Sequence, residues 1–548
     1  MNSSSPAGRK ALFVCAFTKE TACLAAMASE GRKEEDKEEK LSSLAKYDYP
    51  ERSDIDMRRL GTGYSSFFSE NNFAIWIIAL AVIAVAHLTI PITPSLLPNI
   101  WDSIVWLGLR MEEHMHSEYF FTELTVLVFL VAYAFWLNAT KKSIYLLDFT
   151  VWDGKPEWKT TNADFLDLCS RIKTYTPESF EFQKRLTERT GLGDRTYLPT
   201  HLVRDTDFSM TSARKEAEEV VFTIVDQLLT SAGVKPQDID VLVVNCSLFC
   251  PTPSLASMII NKFKMRSNIR SFNLGGMGCS AGVISVDLAK DLLQVHARSL
   301  ALVVSTENIT MNMYRGNHKG MLLSNCLFRC GGGAVLLSNK WTDRFRARYK
   351  LTHTVRVHKG QNDTSYHSVY QEDDPCGVTG VGLSKELMNV VGDALKTNMT
   401  VLGPQVLPWS EQAKFLFNVA LRSVCKMVGK KPPSPYVPDF KKAFEHFCIH
   451  AGGRAIIDGL EQNLKLLPRH CEPSRATLYR YGNTSSSSIW YELAYIERMG
   501  WMHKGDRVWQ IALGSGFKCN SAVWRCLRTV KPAMRKTESM NEIHEKLN

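Results

Sequence analysis

The chain has no dense stripe of Lys and Arg interleaved with aromatic residues, which argues against nucleic acid as a partner. Its formal net charge of +10, spread over 548 residues, is a mild basic bias. Such a bias suits an anionic membrane surface or phosphorylated small molecules. Paired cysteines at zinc-site spacing are also missing. Among 14 cysteines the nearest pairs are Cys246/Cys250 and Cys326/Cys330, each with three residues between, and neither recurs as a second pair. Scattered thiols of this kind read as buried free cysteines in a reducing compartment. The opening stretch GRKALFVCAFTKETACLAAMASE lacks the clean apolar core and cleavage site of a targeting peptide.

What is present divides the chain sharply. A hydrophobic content of 45% and a charged content of 22% are those of an ordinary globular protein, and 548 residues are too many for one typical core. Residues 1–56, with the run EGRKEEDKEEKLSS, read as a disordered polar tail. Two nearly charge-free runs follow, FAIWIIALAVIAVAHLTI (Phe73–Ile90) and YFFTELTVLVFLVAYAFWL (Tyr119–Leu137). Each is long enough to cross a bilayer, so residues 57–142 read as a membrane anchor with helices over about 73–92 and 119–138. Arg58 and Arg59 precede the first run, Lys141 and Lys142 follow the second, and the loop between holds only Arg110 against several acids. The positive-inside rule then makes a hairpin with both ends in the cytosol.

From Ser143 the pattern is that of α/β structure. IDVLVVNCS (Ile239–Ser247), SLALVVSTEN (Ser299–Asn308), AVLLSN (Ala334–Asn339) and RVWQIALGSG (Arg507–Gly516) read as buried strands. Ala213–Gly233 reads as a helix closed by a glycine cap. Residues 531–548 read as a second polar tail.

An internal repeat singles out three residues. A strand ending at Asn245 is followed 34 residues later by Cys279, in a glycine-rich turn (NLGGMGCSAG) before an amphipathic helix. A strand-like run ending at His450 is followed 33 residues later by Asn483, in a serine-rich turn (YGNTSSSS) before another such helix. Each unit ends in a buried strand. The two read as halves of a duplicated α/β fold, over 143–345 and 346–530. Their turn-to-helix corners are expected to meet near a pseudo-twofold axis, bringing Cys279, Asn483 and His450 together.

The setting of Cys279 suits a nucleophile. A helix N-terminus favours thiolate over thiol, and thiolate is the reactive form. Gly275, Gly276 and Gly278 leave room for a carbonyl to reach sulfur, and backbone N–H groups there suit an oxyanion. His446, four positions before His450, makes an HxxxH pair. No third ligand stands at useful spacing, and residues four apart on a strand chelate poorly, so no metal is expected.

Taken together, NLGGMGCSAG, TGLGDRTYLP, STENIT, MLLSNCLFRCGGGAVLLSN, HTVRVHKG, QEDD, FCIHAGGRAIID and RYGNTSSSSIWYELAYIE resemble the plant-type 3-ketoacyl-CoA synthases of the thiolase superfamily, over roughly residues 143–530. The N-terminal hairpin resembles that family's anchor. The resemblance implies a thiolase-like duplicated α/β/α/β/α fold and an acyltransferase activity. It carries Cys279 over as nucleophile, with His450 and Asn483 completing the catalytic set. It gives supporting roles to His446 and His358, and places Gly514 and Gly516 in a loop opposite the nucleophile. Acyl-CoA and malonyl-CoA are the implied substrates, without metal, flavin or nicotinamide cofactor. A homodimer at the endoplasmic reticulum membrane, catalytic domain in the cytosol, is implied, beside the ketoacyl reductase, dehydratase and enoyl reductase of an elongase complex. The CoA-binding residues are not assigned. The sequence departs from the family at His318 and Gly320, and in DFTVWDGKPEWKTT, which lacks the customary Cys-Tyr-Lys-Pro segment.

Three rival readings are weaker. Soluble thiolase-fold condensing enzymes lack such a hairpin. A papain-like protease orders Cys, His and Asn similarly, but places Trp just after the Cys, where this chain has Ser280-Ala281-Gly282. A membrane scaffold that had lost its chemistry would not need an intact Cys/His/Asn set.

Overall fold

Strands whose every residue is apolar must be covered on both faces, and the computed structural model of this chain meets that demand. It describes residues 142–530, together with 125–126 and 128–133. The latter are helical and lie within the second apolar run. The rest of the expected hairpin and both polar tails lie outside the described residues. No helix among the described residues is long and apolar enough to cross a membrane.

Nine strands form one mixed sheet: β1 (Ile144–Val151), β2 (Val241–Asn245), β3 (Arg270–Leu274), β4 (Leu300–Thr306), β5 (Gly332–Ser338), β6 (Tyr349–His358), β7 (His446–Ile449), β8 (Arg507–Gly514) and β9 (Lys518–Cys526). Their order is β7-β8-β9-β6-β1-β5-β4-β2-β3. The pairing repeats itself. β2 is parallel to β4, which is antiparallel to β5, which is antiparallel to β1. In the same way β7 is parallel to β8, β8 antiparallel to β9, and β9 antiparallel to β6. The two arrays join where β1 runs antiparallel to β6, with Tyr145 opposite Lys350. The duplication read from the turn spacing is therefore present in the strand pairing.

Every residue of β2, β4 and β5 is buried. Burying each Val or Leu side chain contributes about 1.5–3 kcal/mol. Two buried indoles keep their N–H groups paired, Trp509 with Ser521 Oγ at 2.8 Å and Trp524 with Gln510 Oε1 at 2.7 Å, so neither incurs the cost of an orphaned donor.

Four helices matter below: α1 (Met210–Ala232), α2 (Ala281–Val295), α3 (Trp409–Met427) and α4 (Ser488–Arg498). α1 starts where the Ser209 side chain accepts from Ser212 N–H and stops at Gly233, whose φ of 62° suits a residue without Cβ. α2 and α4 are the helices that follow the two corners. Asn245, at the end of β2, ties the arrays together. Its amide donates to Ser285 and Ser305 at 2.8 Å each and accepts from Ser486 Oγ at 2.6 Å.

Candidate active site

Cys279 stands two residues before the first residue of α2, with Ser280 as the cap. Gly278 makes the turn possible in two ways. Its φ is +70°, and a Cβ there would lie 2.4 Å from the Ser515 nitrogen. Gly514 is equally constrained, since its Cβ would lie 2.4 Å from Ser280 Oγ. The loop holding Gly514 and Gly516 therefore packs directly against the residues flanking Cys279. His358, at the end of β6, belongs to the same edge. Its Nδ1 accepts from Gly360 N–H at 3.0 Å, and Lys359 N–H donates to Phe517 O at 2.8 Å.

The second corner approaches from the other side. A Cβ on Gly282, in the first turn of α2, would lie 2.4 Å from Ser486 O. Asn483 and Ser485–Ser488 are all buried. Asn483 is fixed through its backbone, accepting N–H from Arg329 at 3.0 Å and donating to Leu327 O at 2.9 Å. Its amide is oriented too. Oδ1 accepts from Ser485 N–H at 2.9 Å, and Nδ2 donates to Gly452 O at 3.2 Å. One Nδ2 hydrogen is thus engaged and the other is left to donate.

His450 is the first residue after β7, held by its N–H to Ile511 O at 2.9 Å. Gly452 lies against its ring, where a Cβ would stand 3.1 Å from Nε2. Nδ1 lies 2.7 Å from Ser488 Oγ, and that hydroxyl donates to Ser485 O at 3.1 Å. The serine turn therefore touches all three sequence-derived residues. Ser488 holds His450, Ser485 N–H holds Asn483, and the Ser485 side chain hydrogen-bonds Cys279.

Ser485 was not singled out by sequence, and neither was Glu307. Ser485 is the strained residue of the site, a non-glycine at φ +55°. Such a conformation costs about 1–3 kcal/mol and persists only where the surroundings enforce it. Its hydroxyl also reaches Glu307 Oε2 at 3.2 Å. Glu307 is buried, and its carboxylate accepts from the backbone N–H groups of Ser247 at 3.2 Å and Leu248 at 3.0 Å. Burial nonetheless raises its pKa. Glu307 also borders a small cavity of about 20 Å³ whose wall includes Phe165, Leu198, Leu248, Ile309, Met313 and Val381. The run of four serines was the available signal for Ser485 and Ser488.

Two expectations are corrected. The helix N-terminus does not leave Cys279 as a resting thiolate. Burial pushes the thiol up to about 11, the Ser485 hydrogen bond works the other way, and the nearby Glu307 charge adds to the rise. Desolvation disfavours the charged form of a thiol, and it is the largest of these effects. His446 is not at the site. It begins β7, about 13 Å along the strand from His450, and its Nε2 pairs with Asp506 at 3.1 Å. A strand separates residues four apart, where a helix would stack them. No cluster of three His, Cys, Asp or Glu suited to a metal occurs among the described residues.

His450 is neutral in the resting site, because burial lowers its pKa to about 4. The site thus holds a protonated thiol, a neutral imidazole and an amide donor on a rigid, mostly buried floor. That set serves acyl transfer to sulfur followed by stabilisation of an anionic oxygen.

Comparison with known proteins agrees with this chemistry. Residues 136–424 match the family model described as FAE1/type III polyketide synthase-like protein, and residues 421–526 match the C-terminal domain of chalcone and stilbene synthases. 3-Ketoacyl-CoA synthase 17 of Arabidopsis thaliana is 58% identical over 395 residues, covering 72% of this chain and 80% of that protein. 3-Ketoacyl-CoA synthase 6 of the same plant is 48% identical over 481 residues, covering 87% and 93%. Among solved structures, 1,3,6,8-tetrahydroxynaphthalene synthase of Streptomyces coelicolor shares the fold at a TM-score of 0.54 and 20% identity, covering 70% of this chain and 99% of that one. By its sequence and its fold, the chain belongs to the 3-ketoacyl-CoA synthases of the FAE1/type III polyketide synthase-like family.

Proposed function

We propose that this chain condenses a long-chain acyl-CoA with malonyl-CoA through an acyl thioester on Cys279, in very-long-chain fatty acid elongation. The observation that carries the mechanism is the serine turn touching Cys279, His450 and Asn483 at once.

The resting thiol must lose its proton as it attacks. The Ser488 hydroxyl donates its hydrogen bond to Ser485 O, so His450 donates Nδ1–H to Ser488 Oγ and presents a bare Nε2. Nε2 takes the Cys279 proton, and sulfur attacks the acyl-CoA carbonyl. The acyl–S–Cys bond forms, the acyl–S–CoA bond breaks, and the CoA thiolate takes a proton from solvent. Malonyl-CoA then loses carbon dioxide, and its bonding pair becomes an enolate. The Nε2–H of His450 and the free Nδ2–H of Asn483 donate to the enolate oxygen. A carboxylate in place of the Asn483 amide would repel that charge. The enolate carbon attacks the acyl-cysteine, giving a 3-ketoacyl-CoA two carbons longer, and the released Cys279 thiolate recovers its proton from His450. The balance needs no metal or redox cofactor.

The remaining parts rest on the apolar pattern of the N-terminal runs and on the family resemblance. Residues 57–142 are a two-helix anchor that holds the body at the cytosolic face of the endoplasmic reticulum membrane. Each exposed CH₂ of a long acyl chain costs about 0.8 kcal/mol in water, so delivery from lipid favours an anchored enzyme. A homodimer acting beside ketoacyl reductase, dehydratase and enoyl reductase completes the reading.

Membranes carrying the full chain, supplied with radiolabelled malonyl-CoA and acyl-CoAs of graded length, test it. Product is expected with long acyl-CoAs and absent with Cys279→Ala. Persistence in that variant removes Cys279 as nucleophile. Failure at every length favours the scaffold reading.

A further inference from the structure

Helix α3 is the part of the body least explained by the catalytic reading. It runs for 19 residues, and Glu411 at its base is the one buried residue in it. That base is clamped. Glu411 Oε1 meets Lys442 Nζ at 2.6 Å, and Oε2 accepts from Tyr436 OH at 2.5 Å and from Asp439 N–H at 3.1 Å. Past it the helix projects, and the chain returns along 430–438, where Asn418 braces it through Tyr436 N–H at 3.0 Å.

The projecting part is apolar and uncovered. Leu416, Phe417, Leu421, Val424, Met427 and Val428 are all exposed, Phe417 at 70% and Met427 at 87%. At helical spacing these six share one arc of about 140°, while Phe415 and Val419, also exposed, lie off it. Isolated exposed apolar residues are ordinary, whereas a contiguous face marks an interaction site. The charge pattern selects the occupant. Residues 412–438 contain Lys414, Arg422, Lys426, Lys430 and Lys431 and no acid. An apolar arc bordered by cations is the pattern of a helix lying in the headgroup region of a bilayer. A second copy is disfavoured, since symmetric pairing of this helix would set the same cations against each other. An apolar run of membrane-spanning length ends at Leu137, seven residues before β1 begins at Ile144.

We propose that α3 inserts its apolar face into an anionic lipid surface, as a second membrane contact separate from the N-terminal hairpin. It extends the anchored reading above. The contact fixes the tilt of the body on the bilayer, so the site faces the membrane in one orientation.

Photolabelling of the full-length protein tests this. The protein is reconstituted in vesicles of phosphatidylcholine and phosphatidylserine containing a trace of phosphatidylcholine with a diazirine on its acyl chain. After irradiation, label is located by mass spectrometry. Label is expected in 415–428, falling about tenfold in the Leu416→Asp/Phe417→Asp/Leu421→Asp variant. These positions are exposed, so the variant should keep the circular-dichroism spectrum and melting temperature of the unaltered protein, which confirms its fold. Labelled 73–92 and 119–138 with unlabelled 415–428 overturns this proposal and leaves the hairpin reading intact. The reverse pattern upholds α3 and removes the hairpin. Cross-linking of 415–428 to another copy or to the chain's own N-terminal segment, without lipid label, overturns it. Equal label in phosphatidylcholine alone overturns the role given to the cations.

Discussion

Ser488 Oγ lies 2.7 Å from His450 Nδ1 and donates its own hydrogen bond to the Ser485 carbonyl at 3.1 Å. One hydroxyl therefore orients the imidazole and ties it to the turn that holds Asn483 and touches Cys279. Ser488→Ala removes the acceptor for Nδ1–H and the preference for one tautomer. A lost buried hydrogen bond is worth about 1–1.5 kcal/mol, so kcat is expected to fall about tenfold. KM for acyl-CoA should stay unchanged, because Ser488 is argued to act through His450. Steady-state kinetics separates the two constants, and a change confined to KM would remove Ser488 as a positioning residue.

The Cys279 thiol, raised to about 11 by burial, makes a pH prediction. Thiolate is the alkylated form, so the iodoacetamide rate at Cys279 should rise about tenfold per pH unit between 7 and 9. A plateau below pH 8 would reveal a resting thiolate and contradict the site as described. Ser485→Ala removes the hydrogen bond that lowers this pKa, so alkylation at fixed pH should slow.

His450 ties stability to pH. Its pKa is lowered to about 4 in the folded chain, against about 6.5 unfolded. Between those values the unfolded chain binds the proton and the folded chain does not. Stability is therefore unaffected above pH 6.5 and declines as pH falls toward 4, by about 3 kcal/mol in all. His470, lowered to about 3 by burial first, contributes with the same sign. Denaturant melts at pH 7 and pH 5 measure the slope. His450→Gln should flatten it partly, leaving the share of His470, and an unchanged slope would refute the assignment.

Gly278 is held by both its φ of +70° and its contact with Ser515. Gly278→Ala places a methyl group against the Ser515 nitrogen and strains the backbone by about 1–3 kcal/mol. Loss of condensation is expected together with a lower melting temperature. Gly233→Ala is the control, since its φ is +62° but nothing lies within 4 Å of the new methyl. It should cost stability and leave condensation intact.

The chain order of strands and helices was legible because it depends on local pattern. Ile239–Ser247 contains β2, Ser299–Asn308 contains β4, and Ala213–Gly233 overlaps α1 with Gly233 as its cap. The meeting of the two corners, Gly282 against Ser486, was legible through the repeat, since equal spacing after equivalent strands sets both corners at one axis. Ser485 and Ser488 were not, because a serine's role depends on which oxygen it meets across the fold.

The sequence by itself determined the duplicated α/β plan and singled out Cys279, His450 and Asn483, which the fold gathers around one serine turn, because periodicity, glycine turns and spacing act over short stretches of chain. Only the tertiary structure decided the protonation of the site, the separation of His446 from His450's surroundings, and the exposure of α3. Each of these depends on burial. Burial sets the dielectric around Cys279 and His450 and leaves the apolar arc of α3 uncovered, and it arises only when distant segments pack.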